Sequence, residues 1–156
     1  MLKNLNATFV IAIEPNPLNA RFLRINLKMN KVDKVSLIEA ATGSSSDEVK
    51  LYLSNLSGRS SVIRKTAKYI CVKQIKLDDL IPALVRHVDF IKIDVEGAEL
   101  EVLKGASKLV KRDKPVLIIE TENENLRKLL NYLKEHYKKI YVSHFGGLHV
   151  VCLPYD

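Results

Sequence analysis

Lys92, Asp94 and Glu96 alternate with Ile91, Ile93 and Val95 in the segment FIKIDVEGAE, residues 90–99. In an extended chain successive side chains point to opposite faces, so the charges share one face and the branched apolar residues the other. Burying several charges inside a sheet is costly. The charged face is therefore either a wet edge or the rim of a site. Three more acids close apolar runs: Glu14 after VIAI, Glu39 after VSLI and Glu120 after VLII. Ligands of open α/β sheets bind beyond the carboxyl ends of the strands. Acids there can accept hydrogen bonds from hydroxyls, tolerate a cation or take up a proton. One such acid is an ordinary solvated strand end; four at one rim point to a polar pocket.

Each candidate has a structural alternative. Glu14 ends a buried strand just before a capped helix, which is the geometry that holds ribose hydroxyls with a carboxylate; a salt bridge to a lysine is the other reading. Lys92 either forms a structural ion pair or keeps Asp94 ionised beside a substrate. Gly97 permits a sharp turn or a close backbone approach to a ligand. Glu99 and Glu101 fall in the first turns of a helix, where the dipole favours acids. The four histidines form no metal-ligating motif and no metal is expected; His144 precedes a hairpin turn and can reach the rim. Neither a P-loop nor a G-x-S-x-G motif occurs.

The elements that must position these residues alternate between strand and helix. Strands are expected at Phe9–Ile13, Val35–Ile38, Val49–Leu53, Tyr69–Ile75, Phe90–Asp94 and Val116–Ile119. Asn16-Pro17 starts a helix, a side-chain cap followed by proline at the first helical position. Leu18, Phe22, Ile25 and Met29 carry it to about Asn30. Thr42 to Asp47 reads as a loop, and a further connection runs from Ser54 to Lys68 around Gly58-Arg59-Ser60-Ser61. Short helices follow at Leu77–Val85 and after Gly97, the second carrying Leu100, Leu103 and Ala106. A longer one has Leu126, Leu129, Leu130, Leu133 and Tyr137 on one face. A hairpin around Phe145-Gly146-Gly147 closes the chain, with strands at Ile140–Val142 and Leu148–Leu153. The pattern predicts one α/β domain, residues 1–156, with a mostly parallel sheet and an antiparallel C-terminal hairpin.

Bulk composition narrows the class. The 156 residues are enough to bury a core without disulfides or metals. Lys and Arg exceed Asp and Glu by 25 to 18, a net charge of +7. The lysines are scattered, which favours a solvated surface; an anionic partner such as a nucleotide or nucleic acid is the alternative. Cys71 and Cys152 sit in apolar strands and are expected to be buried free thiols of a cytoplasmic protein. The longest N-terminal apolar run is too short for a membrane span, and the glycosylation-type triplets at Asn6 and Asn55 are read as chance.

VIAIEPNPLNARFLRINLKMN, GRSSV, IKLDDL, FIKIDVEGAELEVLKGA and KPVLIIE resemble, in that order, the FkbM family of methyltransferases, over roughly Val10 to Glu120. The resemblance implies a Rossmann-like methyltransferase fold, S-adenosylmethionine as cofactor, and methyl transfer to a hydroxyl of a small molecule or sugar. It implies further that Glu14 binds the cofactor ribose with Asn16 beside it, and that Glu39, Ala40 and Ala41 lie by the adenine. Asp94 and Glu96 would face the methyl group and acceptor with Lys92 behind them, and Glu120 and His144 would line the acceptor side. Asp94 is the first candidate for the proton acceptor.

One family feature is missing. The family's first strand and its glycine-rich turn should precede the strand that ends in the acid, by about 20 residues. Only thirteen residues precede Glu14, and none is glycine. That first strand would lie between the strands ending in Glu14 and Asp94. The two-sided apolar character of Phe9–Ile13 argues against an open gap there. A start site placed too far downstream, a truncated and inactive binding or assembly module, and a sheet completed by homo-oligomerisation are the readings that remain.

Overall fold

The computed structural model describes residues 9–53, 60–63, 65–144 and 146–154. The expectations resting on Met1–Thr8, Asn55, Gly58, Arg59 and Phe145 lie outside the described residues. Strand β1 (Val10–Ile13) pairs in parallel with β2 (Val35–Ile38), from Val10 opposite Val35 to Ile13 opposite Ile38. Helix α1 (Pro17–Met29) joins them, and the Asn16 side chain caps it by accepting the Leu18 N–H at 2.9 Å. Its regular apolar stripe faces outward: Leu18, Phe22, Ile25 and Met29 are all exposed, and Ala20 is the buried residue.

A second sheet contains β3 (Ala41–Thr42), β4 (Glu48–Tyr52) and β5 (Tyr69–Ile75), with β5 in the centre. The first residue of the expected 42–47 loop therefore differs: Thr42 belongs to a short strand, paired in parallel with Ile75. Gly43 to Ser46 forms the loop proper, pinned by the Gln74 amide, which donates to Ser45 Oγ at 3.0 Å. Cys71 is exposed, contrary to expectation, because it shares the outer side of β5 with Tyr69 and Lys73.

The third sheet has the order β6-β7-β9-β8, from β6 (Phe90–Ile93), β7 (Val116–Thr121), β8 (Lys139–Ser143) and β9 (Leu148–Leu153). Only β6 and β7 run parallel in it; β9 is antiparallel to both β7 and β8. The C-terminal hairpin is as expected, but the mostly parallel sheet is not. Among the described residues three strand pairs are parallel and three antiparallel. Strands β4–β5 and β8–β9 are consecutive in the sequence and fold back on each other, which antiparallel pairing allows without a crossover.

Helices α3 (Glu99–Gly105), α4 (Ser107–Asp113) and α5 (Asn123–Lys134) cover one face of the third sheet. Val102, Leu103, Leu109, Val110, Leu129 and Leu133 pack there with Ile93, Leu117, Ile119, Val150 and Cys152. Burial pushes the Cys152 thiol up to about 12. Tyr137, just past α5, donates its hydroxyl to the buried Pro115 carbonyl at 2.6 Å. The single helix expected after Gly97 is divided at Ala106. Asp78 supplies the reason: its carboxylate accepts the Lys108 and Leu109 N–H groups at 3.0 and 2.9 Å, capping α4. Asp78 itself lies in α2 (Leu77–Leu80), which passes into a 3-10 turn (Ile81–Ala83) at Pro82, whose ring nitrogen cannot donate.

Among the described residues β1 pairs with β2 and β6 with β7, and no strand lies between β1 and β6. Ile11 and Ile13 still pack onto the core, while Phe9 and Phe90 at the strand starts are about half exposed. The opposite side of α3 meets the 43–46 loop at Gly105, and the Ser44 hydroxyl donates to Glu101 of the same helix. A Cβ on Gly105 would sit 1.9 Å from the Gly43 carbonyl oxygen, which is backbone and cannot swing aside. We expect Gly105→Ala to destabilise the fold by about 3 kcal/mol, the upper end of overpacking costs, measured by urea unfolding. A loss under about 0.5 kcal/mol, the size of a neutral surface change, would show that the loop is not held against this helix.

Candidate functional site

The turn leaving β6 carries most of the charged segment. After Asp94 and Val95 the backbone enters the left-handed region at Glu96, φ 52°, and continues through Gly97, φ 108°. A non-glycine residue held there costs on the order of 1–3 kcal/mol and persists only when its surroundings enforce it. Two groups do so. The Ser61 hydroxyl donates to the Glu96 carbonyl at 2.8 Å and accepts the Ile63 N–H at 3.1 Å. On the other side the Gly97 N–H donates to Glu99 Oε1 at 2.7 Å, and the Thr121 hydroxyl lies 3.5 Å from Glu99 Oε2. Glu99 is 2 % exposed. Burial raises its pKa above the ordinary 4.5, the Gly97 bond partly offsets this, and the nearby Glu122 charge raises it further.

Ser60, next to Ser61, reaches the end of β1. Its Oγ accepts from the Asn16 side-chain amide at 3.3 Å. Asn16 in turn donates its backbone N–H to Glu14 Oε1 at 2.8 Å, and the Asn19 amide donates to the same oxygen at 3.4 Å. Glu14 Oε2 has no partner among the described residues, and the lysine salt bridge that sequence allowed is absent there. The carboxyl ends of β1 and β6 are thus joined by two serines, although the strands themselves are unpaired.

Strand register aligns the remaining polar residues. Ile93 lies opposite Ile119, and the next step along both parallel strands sets Asp94 beside Glu120. Glu120 lies opposite His149, and His149 opposite Ser143. Asp94, Glu120, His149 and Ser143 therefore form one row across all four strands, on the face the helices leave open. Glu120 is inside β7 and not at its end, because the strand continues to Thr121. Lys92 and Asp94 form a 2.8 Å ion pair with both side chains about half exposed. Glu120 Oε2 is 3.5 Å from His149 Nε2.

Other candidates are placed apart. Glu39 is drawn outward into an ion pair with Arg24 of α1, whereas Ala40 and Ala41 are buried behind it. His144 is exposed just beyond β8. His149, not His144, meets Glu120. Sequence parity held the signal for His149, since it alternates with Val150 and Cys152 and so shares a face with Val151. Ser61 and Glu99 were harder to see; an acid two residues beyond a turn glycine is the one local sign that it reaches back to the turn. No cluster of possible metal ligands occurs among the described residues, and no described helix is long and apolar enough to cross a membrane.

These features define an α/β domain with its acids gathered on the carboxyl rim of two parallel strand pairs. The chain belongs to the FkbM methyltransferase domain family, whose sequence model matches residues 2–140. A solved structure, the methyltransferase FkbM from Methylobacillus flagellatus KT, shares the fold with a TM-score of 0.66 and 19 % identity. The likeness covers 93 % of this chain and 36 % of that one, so the chain spans about a third of the length of its structural neighbour. No curated protein matches.

Replacing Glu99 separates its hydrogen bonds from its charge. Glu99→Ala is expected to cost about 2 kcal/mol by leaving the Gly97 N–H unsatisfied, and amide exchange at Gly97 should accelerate. Glu99→Gln keeps an acceptor for Gly97 and should lose much less. The folded carboxyl titrates above its unfolded value, so the wild type sheds stability as pH rises from about 4.5. The glutamine variant should therefore gain on the wild type with rising pH; parallel pH–stability curves would refute the buried-acid account.

Proposed function

We propose that this chain is a methyl-transfer domain that uses S-adenosylmethionine to methylate a hydroxyl oxygen of a small molecule or sugar, on a Rossmann-like framework. Family membership and the shared fold support methyl transfer. The observation that carries the cofactor reading is Glu14. One carboxylate oxygen is fixed by Asn16 and Asn19 while the other is bonded to no described residue, which suits an acceptor for ribose hydroxyls. Ala40 and Ala41 put small apolar side chains after β2, compatible with an adenine nearby, while Glu39 is occupied by Arg24. When bound, the cofactor supplies an electrophilic methyl group on a sulfonium. The chain's own part is to position the acceptor beside the Asp94–Glu120 row and to accommodate the proton released. The Lys92–Asp94 pair keeps a carboxylate at that rim.

A second reading follows from the unpaired facing edges of β1 and β6. Such edges invite another strand, and a binding or assembly module, completed by a second copy, would use them. Calorimetric titration with S-adenosylhomocysteine and light scattering of the same sample distinguish the two. The methyltransferase reading expects binding that Glu14→Gln weakens about tenfold or more, the loss of a charge-assisted hydrogen bond. No heat at millimolar ligand from a stably assembled oligomer would favour the module instead.

A further inference from the structure

The His149 ring is held between two acceptors. Its Nδ1 lies 3.2 Å from the Gly147 carbonyl oxygen, and its Nε2 lies 3.5 Å from Glu120 Oε2. A neutral imidazole has one N–H and presents a donor to only one of them; the protonated ring turns an N–H toward each. Gly147 makes the arrangement possible. Its φ is 143°, and a Cβ there would stand 3.2 Å from the ring Cε1 and 3.5 Å from Glu120 Oε1. The ring is 23 % exposed, so a solute can reach it. The other polar and charged groups on this face are Asp94 and Lys92 from β6 and Lys139, Tyr141 and Ser143 from β8, with His144 just beyond.

We propose that His149 is the proton acceptor for the hydroxyl that becomes methylated, and that Glu120 stabilises its protonated form. The assignment rests on the methyl-transfer reading above. In the neutral ring Nδ1–H donates to Gly147, which leaves the Nε2 lone pair toward the open face. The gap of 3.5 Å to Glu120 is too long for a hydrogen bond, so an acceptor hydroxyl can donate to Nε2. As the hydroxyl oxygen takes the methyl carbon, the sulfonium carbon–sulfur bond breaks and leaves a neutral thioether. The O–H bond breaks with it, and the proton passes to Nε2. The new N–H then faces the Glu120 carboxylate, so the cation forms where a negative charge already stands. Asp94, paired with Lys92 at 2.8 Å, is less suited, because taking the proton would break that ion pair.

Two measurements on the intact 156-residue chain test this. Nitrogen-15 spectra of the histidine rings, without ligand, should show His149 as the Nδ1–H tautomer when neutral. Glu120→Gln should move the His149 ring resonances, since the carboxylate stands 3.5 Å from Nε2. The Nε2–H tautomer, or ring resonances unmoved by Glu120→Gln, overturns the pair whatever the chain catalyses. The second measurement is methyl transfer from labelled S-adenosylmethionine to a panel of sugars and polyols. His149→Asn keeps an amide donor near Gly147 but no base, and His149→Gln is the alternative should that variant not fold. Transfer should fall about 100-fold or more, with S-adenosylhomocysteine affinity within twofold of wild type. Undiminished transfer overturns the role of His149 and leaves the methyltransferase reading standing. A wild-type chain that neither binds S-adenosylhomocysteine nor transfers methyl removes that reading and the catalytic role with it, while the spectra still decide the Glu120–His149 pair.

Discussion

The left-handed turn at Glu96 and Gly97 is the constraint on which the rim depends. A chain leaving a buried strand for a helix over only a few residues must turn sharply, and a non-glycine residue in that turn is strained. The strain is contained by groups from three separate places in the sequence: Ser61, Glu99 and, through Glu99, Thr121 at the end of β7. A buried carboxylate is an expensive brace, since it must be desolvated to sit there. It persists because both of its oxygens face donors. The same brace fixes where Asp94 leaves the sheet relative to Glu120.

Ser60 and Ser61 give the rim a unity that hydrogen-bonded strands do not. One serine touches the Glu14–Asn16 corner and the other the Glu96 turn. Ser61 is also bridged to Tyr52 through its backbone, with N–H to carbonyl distances of 3.0 and 2.8 Å in the two directions. The Glu14–Asn16 corner and the Glu96 turn are therefore tied to the β4–β5 sheet as well as to each other. A displacement of either corner would be felt by the other through neutral hydrogen bonds, each worth about 1 kcal/mol.

The open face of the third sheet combines the polar row with Phe90 and Tyr141, both about half exposed. Helices α3, α4 and α5 bury their apolar faces on the other side. On the open face Lys92 pairs with Asp94, and the His149 ring stands beside Glu120. Paired charges at a partly wet surface are inexpensive, which explains how a strand can carry them without losing its place in the sheet.

Much of the fold was legible in the sequence because its signals are local. Alternation in FIKIDVEGAE separated the charged face from the apolar one, Asn16-Pro17 marked the start of α1, and the boundaries of β5 and β9 followed from their apolar runs. The family could be read from motifs alone. Tertiary structure decided what depends on partners far along the chain. It turned the α1 stripe outward, exposed Cys71, left β1 and β6 without a pairing to each other and divided a helix at Ala106 where Asp78 caps it. It also chose His149 over His144 beside Glu120, and made Glu99 a buried brace where helix position suggested only a favourable dipole. Periodicity states which residues share a face; only the packed chain states which face is covered and which distant side chain stands across from it.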